Sequence, residues 1–185
     1  MASRTSGQRR PRPPLDAARL DELALAYVGR FATSRAKLCA YLERKLRERG
    51  WSGERPAEPR AIAERLVALG YVDDRAFAAM KGRALTARGY GARRVGAALH
   101  AAGIGDEDGA HARGEAEAAA EASALRFAER RRIGPFAAVA PSDRAVRDKA
   151  IAAMLRAGHG LDIARRIVAL PPGDMPAPED GDGGG

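Results

Sequence analysis

The chain has 185 residues, of which 45% are hydrophobic and 30% charged, and this composition excludes a membrane protein or a collagen and is typical of a soluble globular protein. Aromatic residues make up only 5%, which leaves little material for a large sheet and disfavours an α/β nucleotide-binding enzyme. The 32 basic residues outnumber the 24 acidic ones, and the net charge of +8 favours polyanionic partners such as nucleic acid or an acidic protein surface.

The first part of the chain predicts three helices. Apolar residues recur at steps of three and four over residues 16–31, which places them on one helix face. A second helix begins after Ser34, a residue suited to the N-cap, and ends at Gly50, which tolerates the positive φ of a C′ residue. After a turn-rich insert at residues 51–59, a third helix, with Leu69 on its apolar face, is stopped by Gly70.

A fourth helix is predicted after Asp73, whose carboxylate suits the N-cap position. Its inward face would include Phe77, Met80 and Ala84. The glycine-rich turn at residues 89–91 breaks the chain again.

The second half continues the helical spacing. A helix is predicted through Val95 and Leu99 to Gly103, followed by an Ala/Glu-rich stretch from Asp106 to about Arg132 that is interrupted by Gly109 and Gly114. A linker follows between Pro135 and Pro141. The last two predicted helices run through Val146, Ala150 and Met154 to Gly158, and through Ile163, Ile167 and Leu170. No segment alternates with period two over a useful length, so the predicted fold is all-α.

One helix ending recurs three times along the chain. Gly50, Gly103 and Gly158 are spaced 53 and 55 residues apart, and each is preceded by apolar residues four and eight positions earlier. This periodicity predicts three tandem three-helix repeats that stack into an elongated, curved helical array. The expected boundaries are a disordered basic tail at 1–14, repeat one at 15–72, repeat two running into the start of repeat three at 73–134, the remainder of repeat three at 135–170, and a disordered acidic tail at 171–185.

Residues 69–78, LGYVDDRAFA, resemble the "G-apolar-apolar-D-D-x-x-F-A" signature of the RecX family. Residues 34–50 resemble the helix of the family's first repeat, residues 89–104 resemble its second repeat, and residues 149–168 are a looser match to the third. The resemblance covers about residues 15–170. The chain departs from the pattern in the insert at 51–59, in an unusually Ala-rich third helix of repeat two, and in His159 after the third glycine.

The resemblance implies a non-enzymatic regulator that binds the RecA recombinase filament on DNA, along its helical groove. RecX-like proteins inhibit ATP hydrolysis and strand exchange by the recombinase and limit filament extension. The expected protein acts as a monomer in recombination, DNA repair and the SOS response, and it needs no cofactor. The residues of the structural signature are Gly70, Asp73, Asp74 and Phe77, with Gly50, Gly103 and Gly158 at the helix ends.

The strongest candidate for a partner-binding surface is a run of five bases, Lys81, Arg83, Arg88, Arg93 and Arg94, since no acid occurs between residues 81 and 105. Guanidinium groups pair with carboxylate or phosphate, so the run suits an acidic filament surface or a DNA backbone. An ordinary solvated helix face is the alternative.

Two further features are candidates for binding. Tyr90, between two glycines, could stack on a base, plug a partner pocket or simply cover a helix end. Arg35, Lys37 and Lys45 contribute to a basic second helix that serves solvation, binding or both.

Other chemistry finds little support in the sequence. Asp73 and Asp74 invite a metal or acid–base interpretation, but helix capping explains them more simply, and Phe77 is expected in the core behind the cap. The three histidines are dispersed and form no cluster at ligand spacing, which disfavours a zinc site. No spacing argument brings a nucleophile, a base and an orienting group together, so the sequence indicates no active site. A free-standing helical nucleic-acid-binding module remains the alternative function.

The expected compartment is the cytoplasm. The single cysteine, Cys39, cannot form an internal disulfide, and no apolar stretch has the length of a secretory signal or a membrane span.

Overall fold

The computed structural model describes residues 13–140 and 143–175, and this part of the chain holds nine α-helices, one 3₁₀-helix and no β-strand. The helices are α1 (Ala17–Val28), α2 (Arg35–Arg49), α3 (Pro59–Ala68), α4 (Asp74–Ala87), α5 (Ala92–His100), α6 (Asp106–Ala118), α7 (Ala120–Arg131), α8 (Arg144–Arg156) and α9 (Leu161–Ala169), with the 3₁₀-helix at Gly134–Phe136. The all-α prediction is confirmed for these residues. Most of the two predicted tails, residues 1–12 and 176–185, lies outside them.

The chain divides into two compact units, Met1–Asp74 and Arg75–Gly185. In the first unit, α1, α2 and α3 enclose a core of Leu, Ile and Ala side chains, and burial of these apolar faces is what stabilises the helices. The backbone of Leu15 joins the ends of this bundle: its N–H donates to Gly50 O at 3.0 Å, and its carbonyl accepts from the N–H of Ser52 at 2.8 Å.

The predicted ends of α2 are confirmed. The Ser34 side chain accepts a hydrogen bond from the N–H of Lys37 at 3.2 Å, and Gly50 has a φ of 79°. Asp74 adds a contact that the sequence did not predict, since its carboxylate accepts from the N–H of Arg35 at 2.8 Å. The signature carboxylate therefore satisfies the start of α2 while lying in the first turn of α4. Asp73 directly precedes α4, at the predicted N-cap position.

Two predictions at the ends of helices are wrong. The first helix ends at Val28 rather than near residue 31, because Gly29 is a poor helix former, and Phe31 is left 56% exposed beyond it. Leu69 was predicted on the inner face of α3, but it lies at the C-cap and is 63% exposed.

The predicted inner face of α4 is also wrong in part. Met80 is 42% exposed and Ala84 is exposed, whereas Ala78 and Gly82 are buried. The physical reason is close packing through small residues: a Cβ on Gly82 would lie 3.3 Å from the Cβ of Ala112 on α6. The small residues turn the larger Met80 outward.

The second unit contains two groups of buried apolar residues. One group comes from α4, α5, α6 and the loop after α5, and includes the predicted Phe77 together with Val95 and Leu99. The other comes from α7, α8 and α9, and includes the predicted Met154 and Ile167. Val146, in contrast, is exposed near the start of α8.

The Ala/Glu-rich stretch is interrupted at Ala119, between α6 and α7, and not at Gly109 or Gly114 as predicted. Gly109 lies on the buried face of α6 with Ala112 and Ala116 and does not end the helix. The atoms nearest to a Cβ built at this position belong to the side chain of Arg113 in the same helix, with Nη1 at 2.5 Å.

Candidate functional site

A cleft of about 510 Å³ opens in the second unit between α5, α7 and α8. We call it the arginine cleft. Its lining residues are Tyr90, Arg94, Phe127, Arg130, Arg131, Ala153, Arg156 and Ala157. Four guanidinium groups and two aromatic rings therefore surround one cavity that has no carboxylate among these lining residues.

The start of α5 is fixed to the end of α8 by the backbone. The N–H of Gly91 donates to Ala157 O at 3.0 Å, and the N–H of Arg93 donates to Gly158 O at 3.2 Å. A Cβ on Gly91 would lie 2.3 Å from Gly158 O, and one on Gly158, where φ is 94°, would lie 2.4 Å from the backbone nitrogen of Arg94. Only glycines permit this approach, which brings Arg94 and Arg156 to the same cavity.

Aromatic rings hold the guanidinium groups in place. The guanidinium carbons of Arg88 and Arg94 lie 5.6 Å and 5.8 Å from the centroid of the Tyr90 ring. Those of Arg130 and Arg131 lie 5.9 Å and 5.8 Å from the centroid of Phe127, whose own side chain is buried. These distances fall within the range of a cation–π interaction.

The charge of the cleft is not neutralised by nearby acids. Among the described residues, no carboxylate lies within 4.0 Å of the guanidinium nitrogens of Arg94, Arg130, Arg131 or Arg156. Arg130, Arg131 and Arg156 occupy the last turns of their helices, where a cation interacts favourably with the helix dipole.

The helix dipole does not explain the position of Arg94. It lies in the first turn of α5, a turn that contains no acidic residue, and a cation at this end of a helix opposes the dipole. The start of α5 therefore carries positive charge that does not serve the stability of the helix. An anion bound in the cleft would compensate for it.

His159 packs against Phe127, one of the residues that line the cleft. Its side chain is only 2% exposed, its Nε2–H donates to Gly89 O at 3.2 Å, and its ring lies 5.5 Å from that of Phe127. Burial lowers the pKa of His159, while the hydrogen bond to the Gly89 carbonyl acts in the opposite direction. The residue that departs from the family pattern is thus a packing residue that joins the turn before α5 to the end of α8.

The structure brings some of the predicted binding residues together. Arg88 and Arg94 flank Tyr90, and the neighbouring Arg93 is exposed at the start of α5. Lys81 and Arg83 lie on α4, outside the lining of the cleft. Lys81 is half-buried, and Nη1 of Arg83 lies 3.8 Å from a carboxylate oxygen of Glu115 on α6.

The basic candidates on α2 belong to the first unit, where two of them pair with carboxylates. Nη1 of Arg35 lies 3.1 Å from Glu64, and Nζ of Lys45 lies 2.6 Å from Glu48. The backbone of Lys37 contributes to the cap of α2, and its side chain is exposed. Arg35 and Lys45 therefore already take part in ion pairs within the unit.

Sequence reasoning identified Tyr90 and Arg94 but missed the other six lining residues of the arginine cleft, among them Phe127, Arg130, Arg131 and Arg156. One signal was present, since residues 130–132 form a run of three arginines. The run follows Glu129 directly and lies in a stretch of mixed charge, so a search for long stretches without acidic residues does not find it.

The described residues give no support for a metal site or for a membrane-spanning helix. They contain no group of three or more His, Cys, Asp or Glu side chains placed to hold a metal ion. Among the same residues, no helix is both long enough and apolar enough to cross a membrane.

Comparison with known proteins relates the chain to others by sequence and by fold. No family model matches the chain. The chain is 30% identical to the regulatory protein RecX of Myxococcus xanthus (strain DK1622) over 169 residues, which cover 88% of this chain and 90% of the relative. Its fold is similar to the crystal structure of RecX from Lactobacillus salivarius, with a TM-score of 0.58 and 19% identity over 82% of this chain and 93% of that chain.

Proposed function

The chain belongs to the RecX family, and from this premise we propose that it is a regulatory protein that binds the RecA filament on DNA and lowers its ATPase and strand-exchange activity. The protein acts without chemistry of its own, as a ligand of the filament. A ligand changes the assembly or turnover of a filament only if it binds one filament state more tightly than another. We therefore expect inhibition to saturate as the filament sites are filled.

The architecture behind this function is three tandem three-helix repeats in an elongated, curved array. Two observations support the repeat: buried apolar residues fall into three groups along the chain, and Gly50, Gly103 and Gly158 all have positive φ after the middle helix of such a group. Stacked repeats offer an extended surface that can follow a helical groove. Solution scattering tests the shape, since a radius of gyration equal to that of a compact sphere contradicts it.

The observation that carries the binding proposal is the exposed cationic start of α5. Arg88 and Arg94 flank Tyr90, Arg93 is exposed beside Arg94, and no carboxylate of the described residues lies within 4.0 Å of the guanidinium nitrogens of these three arginines. Guanidinium groups bind carboxylates and phosphates through paired hydrogen bonds, and a recombinase filament on DNA presents both. We expect Lys81 and Arg83 to extend this surface along α4.

The test is RecA-dependent ATP hydrolysis on single-stranded DNA, measured as the purified protein is added. The triple variant Arg88→Ala, Arg93→Ala, Arg94→Ala should inhibit less than the wild-type protein while its helicity by circular dichroism is unchanged. Loss of exposed charge contacts makes this a partial effect, about 0.2–1 kcal/mol of binding free energy for each arginine.

A matched control removes the same charge from elsewhere in the second unit. Arg126, Arg147 and Arg165 are exposed and lie outside the arginine cleft, so the variant Arg126→Ala, Arg147→Ala, Arg165→Ala should inhibit as the wild type does. Equal inhibition by both folded variants means that another face binds the filament. Unaltered ATP hydrolysis with stoichiometric wild-type protein contradicts the function itself.

A free-standing nucleic-acid-binding module is the second candidate, favoured by the same uncompensated arginines. It predicts tight binding to naked DNA. The logarithm of the binding constant should fall with the logarithm of the salt concentration, with a slope of about −0.9 for each duplex phosphate contacted. Failure to shift naked DNA while inhibiting the filament excludes it.

The proposed regulator is a cytoplasmic monomer, and sedimentation equilibrium tests the oligomeric state.

A further inference from the structure

The arginine cleft carries more positive charge than the surrounding chain neutralises, and we propose that it is a binding site for an oligophosphate, meaning two or more adjacent phosphate groups. Such groups are supplied by the triphosphate of a nucleotide or by successive phosphodiesters of a DNA strand. The proposal goes beyond the regulatory function, since binding at the cleft requires no recombinase.

The number of guanidinium groups indicates more than one anion. A bidentate pair occupies two oxygens, so a carboxylate pairs in this way with one guanidinium group and a phosphate with about two, whereas Arg94, Arg130, Arg131 and Arg156 all line the same cavity. The volume of about 510 Å³ lies within the range of small-molecule sites, which runs from about 300 to 1,000 Å³. A chain of linked phosphates fits within such a cavity and places several charges in it at once.

Phosphates suit the cleft better than the carboxylates of an acidic peptide. Linked phosphates hold their charges a few bonds apart on a short chain, whereas Asp and Glu side chains must each lose rotamer freedom to converge on one cavity. The cleft lies at the end of α8 and the start of α5, and four of its eight lining residues are arginines.

The cleft is organised before any ligand binds. Phe127 supports Arg130 and Arg131, Tyr90 supports Arg94, and the two backbone hydrogen bonds from the start of α5 to the end of α8 fix the distance between the helices. Arg94, Arg130 and Arg131, which lie beside a ring, therefore lose less side-chain freedom on binding than free surface arginines would. A ligand that neutralises these charges binds the folded state alone and should raise the melting temperature as its concentration increases.

The experiment measures binding of sodium tripolyphosphate to the full-length protein by calorimetry and by thermal shift, at constant ionic strength. We expect saturable binding at one site per chain. The cleft variant Arg130→Gln, Arg131→Gln, Arg156→Gln should bind about tenfold or more weakly, which is the combined effect of three modest charge contacts. The control variant Arg126→Gln, Arg147→Gln, Arg165→Gln carries the same net charge and should bind as the wild type does.

A measurement on the wild-type protein keeps the test independent of variant folding. Phenylglyoxal modifies accessible arginines, and the modified sites are read by mass spectrometry. Tripolyphosphate should protect the four arginines of the cleft and leave Arg126, Arg147 and Arg165 reactive. Equal protection of both sets, non-saturable binding or equal weakening in both variants overturns the proposal, since each indicates only a response to net charge.

Further arms identify the source of the phosphates. ATP and a short oligothymidylate are titrated separately, and tighter binding of one of them, lost in the cleft variant, supports the site and assigns its ligand. A glutamate oligopeptide that binds as tightly as tripolyphosphate overturns the proposal in favour of an acidic protein partner. Tripolyphosphate binding is measured on the protein alone, without recombinase, ATP or DNA, so failure of this site and failure of filament inhibition are distinguished.

Discussion

Gly91 is the position where a single methyl group should have the largest effect on the second unit. A Cβ added there would lie 2.3 Å from the carbonyl oxygen of Gly158, 2.4 Å from its carbonyl carbon and 2.6 Å from the nitrogen of His159. All three are backbone atoms, so no side-chain rotation relieves the overlap. The variant Gly91→Ala must move the start of α5 away from the end of α8.

The cost follows from what this movement breaks. The backbone hydrogen bonds Gly91 N–H to Ala157 O and Arg93 N–H to Gly158 O would be lost, each worth about 0.5–1.5 kcal/mol. Overpacking of a tight contact adds about 1–3 kcal/mol. We therefore expect Gly91→Ala to lower the free energy of unfolding by about 2–6 kcal/mol.

Gly96 provides a control within the same helix. A Cβ at Gly96 would meet no atom within 4 Å, and the residue lies inside α5. Alanine is a better helix former than glycine by about 1 kcal/mol, so Gly96→Ala should raise the free energy of unfolding by about that amount. The same glycine-to-alanine change thus has opposite expected signs at two positions five residues apart.

The assay is urea unfolding followed by circular dichroism, with thermal melting as a second measurement, where 1 kcal/mol corresponds to about 2–4 °C for a chain of this size. Gly91→Ala should also weaken tripolyphosphate binding, because it displaces Arg94 from Arg156, and the calorimetric titration of the cleft variant can be repeated on it. The reasoning is refuted if Gly91→Ala and Gly96→Ala change stability by the same amount or with the same sign.

Three further predictions concern stability. Asp74→Ala should lower the free energy of unfolding by about 1–2 kcal/mol, because it removes the acceptor for the Arg35 N–H at the start of α2; an unchanged urea midpoint would show that water replaces the carboxylate at no cost. His159 is held neutral by burial, so its pKa is lower in the folded than in the unfolded chain, and the unfolded chain takes up a proton first as the pH falls. Stability should therefore decrease below a pH of about 6.5, and His159→Gln should flatten this dependence in urea titrations; an identical slope in wild type and variant assigns the effect to other groups. Leu99→Ala should cost about 2–5 kcal/mol because the side chain is fully buried, and Leu46→Ala should cost less because Leu46 is only half-buried; equal costs would contradict the burial argument.

The helices were predictable because their signals are local. Ser34 and Gly50 mark the ends of α2 through hydrogen bonds and backbone angles that involve only neighbouring residues. The inner face of α4 was not predictable in the same way, since Ala78 and Gly82 carry no hydrophobic signal that distinguishes them from surface residues. Their burial depends on the approach of α6, which the sequence of α4 does not contain.

The same distinction between local signals and tertiary packing applies to the candidate site. Arg88, Arg93 and Arg94 stand close together in the chain and were found as a run of bases without acid. Arg131 and Arg156 come from other helices, and nothing in their own segments indicates that they share a cavity with Arg94. Charge runs are visible in a sequence, whereas convergence of charges is a property of packing.

The sequence by itself determined the helical class, the excess of positive charge and the family resemblance, because helix periodicity, caps and signature residues are short-range features. Only the tertiary structure decided that four arginines line one cleft and that His159 contacts both Gly89 and the cleft residue Phe127. The physical reason is the close passage of two backbones at Gly91 and Gly158. Contacts between segments so distant in the chain are set by the fit of whole helices and not by any local pattern.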